Sequence, residues 1–230
     1  MPLKILFLLI AACSLIFIFI GTSRNKNIFP FAIWQIMVAL AAYNGYFLRY
    51  PILFPGIMII SLSISFWVLS RVDISKVNLQ FLLLLHVLRI PVEYALLLLY
   101  QAHKIPVEMT FLGWNFDILI GIIAFFMMIY QWITTRKISR NILIIWNFMG
   151  LLFLLFIVSI AILSSPLPVQ QFGFENPNIA VLEFPFFLLP TCIVPMVLIS
   201  HLLFLKILFK KNWSKHTEKS NIDYTDTTSF

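Results

Sequence analysis

The chain has 230 residues, of which 61% are hydrophobic and only 11% are charged. Soluble domains contain roughly 45–50% apolar and about 25% charged residues, so this composition excludes a water-soluble globule. The formal net charge of +7 does not indicate a nucleic-acid partner, because the basic residues cluster at the ends of apolar segments, as they do in membrane proteins.

Seven apolar segments are long enough to cross about 30 Å of hydrocarbon as α-helices. In chain order they are Leu3–Gly21, Phe29–Leu48, Pro51–Ser70, Val77–Tyr100, Trp114–Thr134, Asn141–Leu163 and Val181–Phe209. The runs are continuously apolar rather than alternating, which excludes transmembrane strands. The sequence therefore predicts an all-α polytopic transmembrane bundle of about seven helices over residues 1–211, with the lipid bilayer as its partner. A disordered cytoplasmic tail is predicted over residues 212–230.

The Lys and Arg residues of the connections predict the orientation of the bundle. One side holds Arg24, Lys26, Arg71, Lys76, Arg136, Lys137, Arg140, Lys206, Lys210, Lys211, Lys215 and Lys219. The other side holds Lys4, Arg49 and Lys104. Because positively charged loops stay in the cytoplasm, the N-terminus is predicted outside and the C-terminus inside, which an odd number of crossings satisfies.

The first span has an alternative interpretation as a lipoprotein signal. Lys4, an apolar run and the residues leading to Cys13 resemble a bacterial cleavage site at which Cys13 is acylated. However, the apolar run continues after Cys13, and cleavage would place Arg24 and Lys26 outside. A transmembrane helix is the preferred interpretation, while processing at Cys13 stays open.

The fourth span carries three ionisable side chains, although an ionised group at the centre of a span costs roughly 2.5–3.5 kcal/mol. His86, Arg89 and Glu93 fall within about 60° of one another on the helix surface. Arg89 and Glu93 are four residues apart and can neutralise each other. Pro91 frees the carbonyl of Val87 and predicts a kink. The stripe is either a ligand site or a self-satisfied pair that stabilises helix packing.

Two further acids lie near the predicted outer face. Asp117 is in the first turn of the fifth span, where the helix dipole favours a carboxylate, and Glu183 opens the seventh span. We predict that Glu93, Asp117, Glu183 and Arg89 converge on one outward-facing pocket. Its mouth would hold Asn115, Gln170 and Gln171. Three acids against one arginine favour a cation, a proton or an amine as the ligand.

The seventh span contains Pro185, Pro190 and Pro195, five residues apart. This spacing predicts a kinked or partly unwound helix. Broken helices form substrate sites in many transporters, whereas proline kinks elsewhere serve packing alone. Both interpretations stay open.

Two histidines are predicted at matching depths. His86 and His201 each lie eight or nine residues from the cytoplasmic end of a span, so bis-imidazole ligation of a haem b iron or another metal is geometrically allowed. Single histidines bonded to neighbouring groups are the alternative. No other cofactor is predicted. An enzyme is not favoured, because the sequence lacks soluble-enzyme motifs and the spacing of Ser61, Ser63 and Ser65 fits close helix packing.

Three sequences, HVLRIPVE from His86, NFDILIG from Asn115 and FGFENPNIAVLEFPFFLLP from Phe172, carry a resemblance. At these residues the chain is similar to a group of small seven-helix membrane proteins of Bacteroidota bacteria. The resemblance covers most of residues 77–209. It implies a bacterial inner membrane as the location and no particular chemistry.

The leading functional hypothesis is a small transporter or sensor that binds a small cationic or protonatable ligand. Glu93 would hold the charge or proton, Arg89 would be its counter-ion, and Asp117 and Glu183 would line the entrance. One alternative is a haem- or metal-binding electron carrier that uses His86 and His201. Another is a structural subunit of a larger membrane complex, and a homo-oligomer is also open.

Overall fold

The computed structural model describes residues 2–210, and all regular structure in that range is helical. The α-helices are α1 (Pro2–Gly21), α2 (Ile28–Tyr43), α3 (Tyr46–Arg49), α4 (Phe54–Ser70), α5 (Leu79–Val87), α6 (Arg89–Gln101), α7 (Asp117–Thr134), α8 (Arg140–Leu163) and α9 (Val194–Leu208). The predicted tail, 212–230, lies outside the described residues.

Six of the helical segments are apolar and long enough to cross a bilayer. They are Leu3–Gly21, Pro51–Ser70, Leu79–Gln101, Asp117–Thr134, Arg140–Leu163 and Leu189–Leu208. Their outward faces carry large apolar side chains, such as Phe126 and Leu155, which are 62% and 61% exposed. Apolar surface on this scale needs a lipid or protein environment. The prediction of an all-helical chain with several apolar helices long enough to cross a membrane is therefore confirmed for the described residues.

The second predicted span is shorter in the structure than in the prediction. Helix α2 has 16 residues and ends at Tyr43, and Gly45, with a φ of 70°, separates it from the four-residue α3. Glycine adopts this left-handed conformation without the steric cost that a Cβ brings. At 1.5 Å per residue, α2 alone is about 24 Å long, slightly less than the hydrocarbon thickness.

The seventh predicted span begins later than Val181. A 3₁₀ turn covers Ala180–Leu182, and the membrane-length segment starts with a π-helical turn, Leu189–Ile193, that leads directly into α9. The prediction that prolines distort this span is confirmed. A π-helical turn is a local widening of the helix that is frequent at functional sites.

Gln35 of α2 hydrogen-bonds to the backbone of the π-helical turn, which contains Thr191. Gln35 Nε2 donates to the carbonyl oxygen of Thr191 at 2.8 Å, and both residues are buried. The bond holds α2 against the π-helical turn.

The fourth and seventh spans lie at the centre of the bundle. In the most apolar window of the seventh span 78% of the residues are buried, and 56% in the fourth, against 28% in the first. The fourth span carries His86, Arg89 and Glu93, and the seventh carries His201. These residues therefore lie on the two spans that lipid contacts least.

Helix α1 is part of the core. Phe7, Ile10 and Ile18 are buried in it, and the Phe7 ring meets Phe186 edge to face with centroids 5.0 Å apart. Helix α1 therefore contributes side chains to the interior of the bundle.

Contacts between helix ends mark one end of the bundle. Asn25 Nδ2 donates to the carbonyl of Arg71 at 3.2 Å, which joins the start of α2 to the end of α4. Arg140 Nε donates to the carbonyl of Leu208 at 2.8 Å, which joins the start of α8 to the end of α9. We call this end, which carries the residues predicted to be cytoplasmic, the basic end.

Candidate ligand-binding site

The fourth span places its charged residues on one interior face. Pro91 cannot donate to the carbonyl of Val87, but Leu88 keeps a helical conformation, and its N–H and carbonyl bond to Leu84 and Val92. Helix α6 begins at Arg89, so Arg89 and Glu93 lie on successive turns about 6 Å apart along the axis. Both face the interior, where they are 4% and 2% exposed.

Helix α7 approaches the start of α6 at Gly121. A Cβ on Gly121 would lie 3.1 Å from both Arg89 Cβ and Ile90 Cγ1, tighter than ordinary van der Waals contact. The absence of a side chain at Gly121 therefore lets α7 pack closely on the start of α6. Asp117, one turn earlier on α7, is thereby brought to the Arg89 guanidinium.

Arg89 forms a buried ion pair with Asp117 rather than with Glu93. Arg89 Nη1 donates to Asp117 Oδ1 at 3.3 Å, with both side chains less than 10% exposed. The predicted pairing of Arg89 with Glu93 is wrong, since the only described ion pair of Arg89 is the one with Asp117. Arg89 Nε and Nη2 have no hydrogen-bond partner among the described residues.

Asn115 holds Glu93. Its Nδ2 donates to both Glu93 carboxyl oxygens, at 2.8 and 2.7 Å, and to the carbonyl of Met109 at 3.1 Å. Asn115 Oδ1 accepts from the backbone N–H of Asp117 at 3.0 Å. Asn115 thus ties Glu93 to the start of α7 and is itself only 2% exposed. We refer to Arg89, Glu93, Asn115 and Asp117 as the Arg89 cluster.

All four residues of the Arg89 cluster line one cavity inside the bundle. The centre of a water molecule can occupy about 70 Å³ of it, several times the roughly 10–15 Å³ that a single water needs. Helices α4, α6, α8 and α9 and the π-helical turn supply apolar walls, which include Val92, Leu96, Leu154, Ile157 and Val197. A mostly apolar cavity with a few convergent polar groups is typical of small-molecule sites.

The other predicted pocket residues lie elsewhere. Glu183 forms an ion pair with Lys104, in the connection after α6. Gln170 Nε2 donates to the carbonyl of Phe172 within its own loop, at 3.0 Å. The described residues that line the cavity do not include Glu183, Gln170 or Gln171. Lys104, a basic residue in a connection predicted to be on the same side as Glu183, was the sequence signal for this pairing.

A second polar group lies one turn from Arg89, and we call His86, His201, Trp146 and Asn147 the histidine cluster. The two imidazole centroids are 4.1 Å apart, and Trp146 meets His86 edge to face at 4.8 Å. His201 Nδ1 lies 2.8 Å from Asn147 Oδ1. Neither ring nitrogen of His86 has a partner among the described residues. His86 does not line the cavity of the Arg89 cluster.

Gly150 creates the space for the His201 ring. A Cβ on Gly150 would lie 2.3 Å from His201 Cε1 and 2.5 Å from His201 Nε2. Separations below 3 Å require atoms to shift, so no other residue fits here without moving the ring. The histidine cluster is closely packed and not open.

The histidine cluster does not fit haem. Two imidazoles that bind one iron from opposite faces, each about 2 Å from the metal, have ring centres roughly 6 Å apart with the porphyrin between them. The 4.1 Å separation of His86 and His201 leaves no room for that plane. Within residues 2–210, no group of three or more His, Cys, Asp or Glu side chains is placed to hold a metal ion.

The described residues form an all-helical structure with six helices long and apolar enough to cross a membrane and a buried charged cluster between them. Residues 48–209 match the family described as a domain of unknown function (DUF8737). Because the match covers well over half of the chain, the protein belongs to that family. The matched region contains both the Arg89 cluster and the histidine cluster. No curated protein and no solved structure matches the chain.

Proposed function

We propose that this protein is a small transporter or sensor that binds a small cationic or protonatable ligand at the Arg89 cluster. One observation carries the proposal: three ionisable side chains, Arg89, Glu93 and Asp117, line one cavity but form a single ion pair. Arg89 and Asp117 neutralise each other. Glu93 is left with an amide as its hydrogen-bond donor.

The carboxyl group of Glu93 determines which ligand charge suits the cavity. A buried carboxylate without a compensating positive charge is costly, and lipid around the bundle raises that cost. Glu93 therefore holds a proton or faces a cation. An amine that enters the cavity can take the proton from Glu93 and form a neutral pair with it. The aliphatic walls favour a ligand with an apolar body.

The π-helical turn beside the cavity supports a moving element. Pro190 and Ile193 of that turn line the cavity. π-Helical turns inside α-helices are frequent at functional sites. Uptake of the ligand into proteoliposomes distinguishes a transporter from a sensor, which binds the ligand without moving it.

We also propose seven crossings, with the N-terminus outside and the C-terminus in the cytoplasm. Support comes from α2, which runs beside α4: Asn25 contacts Arg71 at the basic end, and Trp34 Nε1 donates to Ser61 Oγ at 2.8 Å farther along. The excess of Lys and Arg at the basic end favours the cytoplasm. Asp117 begins α7 at the other end, so in this orientation the cavity lies in the outer half of the bilayer.

The location that we propose is a bacterial inner membrane. The similarity of residues 77–209 to small membrane proteins of Bacteroidota supports this location, together with the apolar spans. Fractionation of cells that express the tagged protein checks it.

Titration with simple amines tests the proposed ligand class. Protein in lipid nanodiscs is titrated with methylamine, isobutylamine and isoamylamine by calorimetry. We expect at least one amine to bind and Glu93→Gln to weaken its binding by at least about tenfold, because the neutral amide cannot balance an ammonium ion. The control is Glu175→Gln, which changes an exposed glutamate. Binding that Glu93→Gln leaves intact, or no binding of any amine, overturns the proposal.

A further inference from the structure

We infer that the ligand is a small zwitterion with an aliphatic side chain, of the aliphatic α-amino acid class. Arg89 binds its carboxylate, and Glu93 faces its ammonium group. The inference rests on the proposed function and names the substrate class of the same cavity.

The unpaired edge of the Arg89 guanidinium carries the argument for the carboxylate. Nη1 is engaged by Asp117, whereas Nε and Nη2 have no partner among the described residues. These two nitrogens form one edge of the planar fork, and that edge matches the two oxygens of a carboxylate. Arg89 lines the cavity and is 4% exposed. A simple amine satisfies Glu93 and leaves this edge unused.

The spacing of the two groups suits a single ligand. Arg89 and Glu93 lie on successive turns of α6 about 6 Å apart along the axis, and both line the cavity. No ion pair joins them in the structure, because Asp117 and Asn115 hold them from α7. A ligand with adjacent ammonium and carboxylate groups can bridge them.

The charge balance is compatible with a zwitterion, as it is with an amine that takes the proton from Glu93, and it disfavours a carboxylate without an ammonium group. With a proton on Glu93, the Arg89 cluster is neutral, since Arg89 and Asp117 cancel. A zwitterion is also neutral, so its binding brings no net charge into the bilayer interior, where an isolated charge is costly. A permanent cation or a free carboxylate brings one charge unless a proton moves with it.

The cavity walls define the side chain of the ligand. The wall residues Val92, Leu96, Leu154, Ile157 and Val197 are aliphatic. The space open to the centre of a water molecule, about 70 Å³, favours a small branched side chain over an aromatic one. Valine is therefore the first probe.

Valine and two analogues with the same branched side chain, one without the carboxylate and one without the ammonium group, test the inference on the unmodified protein. L-valine, isobutylamine and isovalerate are titrated calorimetrically into the protein in nanodiscs. We expect valine to bind at least about tenfold more tightly than either analogue, because each analogue lacks one charged contact. Isobutylamine binding as tightly as valine overturns this inference and leaves the proposed function standing. Isovalerate binding most tightly, or none of the three binding, overturns both.

Arg89→Lys separates the two contacts. Lysine keeps a positive charge beside Asp117 but has no planar fork. We expect the Kd for valine to rise at least about tenfold, and by a larger factor than the Kd for isobutylamine. The control is Arg49→Lys at an exposed position. Wild-type valine affinity in Arg89→Lys overturns the inference. If Arg89→Lys does not fold, the comparison of the three ligands on the unmodified protein decides.

Discussion

The Arg89 cluster and the histidine cluster begin one helical turn apart on the same span, yet their partners and packing differ. In the Arg89 cluster, Arg89 has a charged partner from α7, and the cluster borders a cavity. The histidine cluster is filled with rings, and His86 has no hydrogen-bond partner among the described residues. Polar residues on one face of a transmembrane helix therefore need not form one site. A charge requires a partner or a cavity, whereas an uncharged imidazole without a hydrogen bond costs less to bury than a charge does.

The largest expected effect comes from breaking the ion pair of the Arg89 cluster. Asp117→Asn leaves the Arg89 guanidinium buried without its counter-charge, which costs about 3–5 kcal/mol of the free energy of unfolding. Unfolding by SDS in mixed micelles measures this loss.

The double variant Arg89→Met with Asp117→Leu is the matched control for this pair. Replacing both charges by apolar residues is often neutral or stabilising, so we expect it to recover most of the lost stability. If the double variant is less stable than Asp117→Asn, the pair is not the source of the effect.

Gly150→Ala tests how tightly the histidine cluster is packed. The added methyl group would lie 2.3 Å from His201 Cε1, and the ring is held by Asn147. We expect a loss of about 2–3 kcal/mol from overpacking. Gly56→Ala is the control, because nothing lies within 4 Å of its added Cβ. Alanine is the better helix former, so this control should gain up to about 1 kcal/mol. Equal effects of the two substitutions would show that the His201 contact is not tight.

Asn147→Leu removes the partner of His201 Nδ1. A buried polar atom left without its hydrogen bond costs about 1–2 kcal/mol. The ¹⁵N shifts of selectively labelled His201 should move, since Asn147 no longer selects its tautomer. Unchanged shifts would contradict this bond.

His86→Leu has the smallest expected effect. Because the described structure gives neither ring nitrogen of His86 a partner, leucine removes no hydrogen bond. The change in stability should stay within about 1 kcal/mol. Amine binding at the Arg89 cluster should also be unchanged, because His86 does not line that cavity. Loss of amine binding in a folded His86→Leu protein would show that the two clusters act together.

Part of the candidate site could be found from local sequence patterns. Helical spacing placed Arg89 and Glu93 on one face, and the position of Asp117 at the start of a span placed it at the same end of the bundle. Asn115 was predicted at the mouth, but it is the residue that holds Glu93. Its side chain lies two positions before Asp117 and accepts from that backbone N–H. This Asn-x-Asp spacing indicates the side-chain contact to the Asp117 backbone, which hydropathy alone does not detect.

The amino-acid sequence alone determined that this chain is a helical membrane protein, where its apolar segments lie, and which residues are costly in them. Hydropathy and the helical repeat are local properties, so one segment is enough to establish them. Tertiary structure alone decided that Arg89 pairs with Asp117, that Glu183 pairs with Lys104, and that His86 meets His201. Such pairings depend on how each helix is rotated and how closely it approaches its neighbour. Close contacts at Gly121 and Gly150 set that approach.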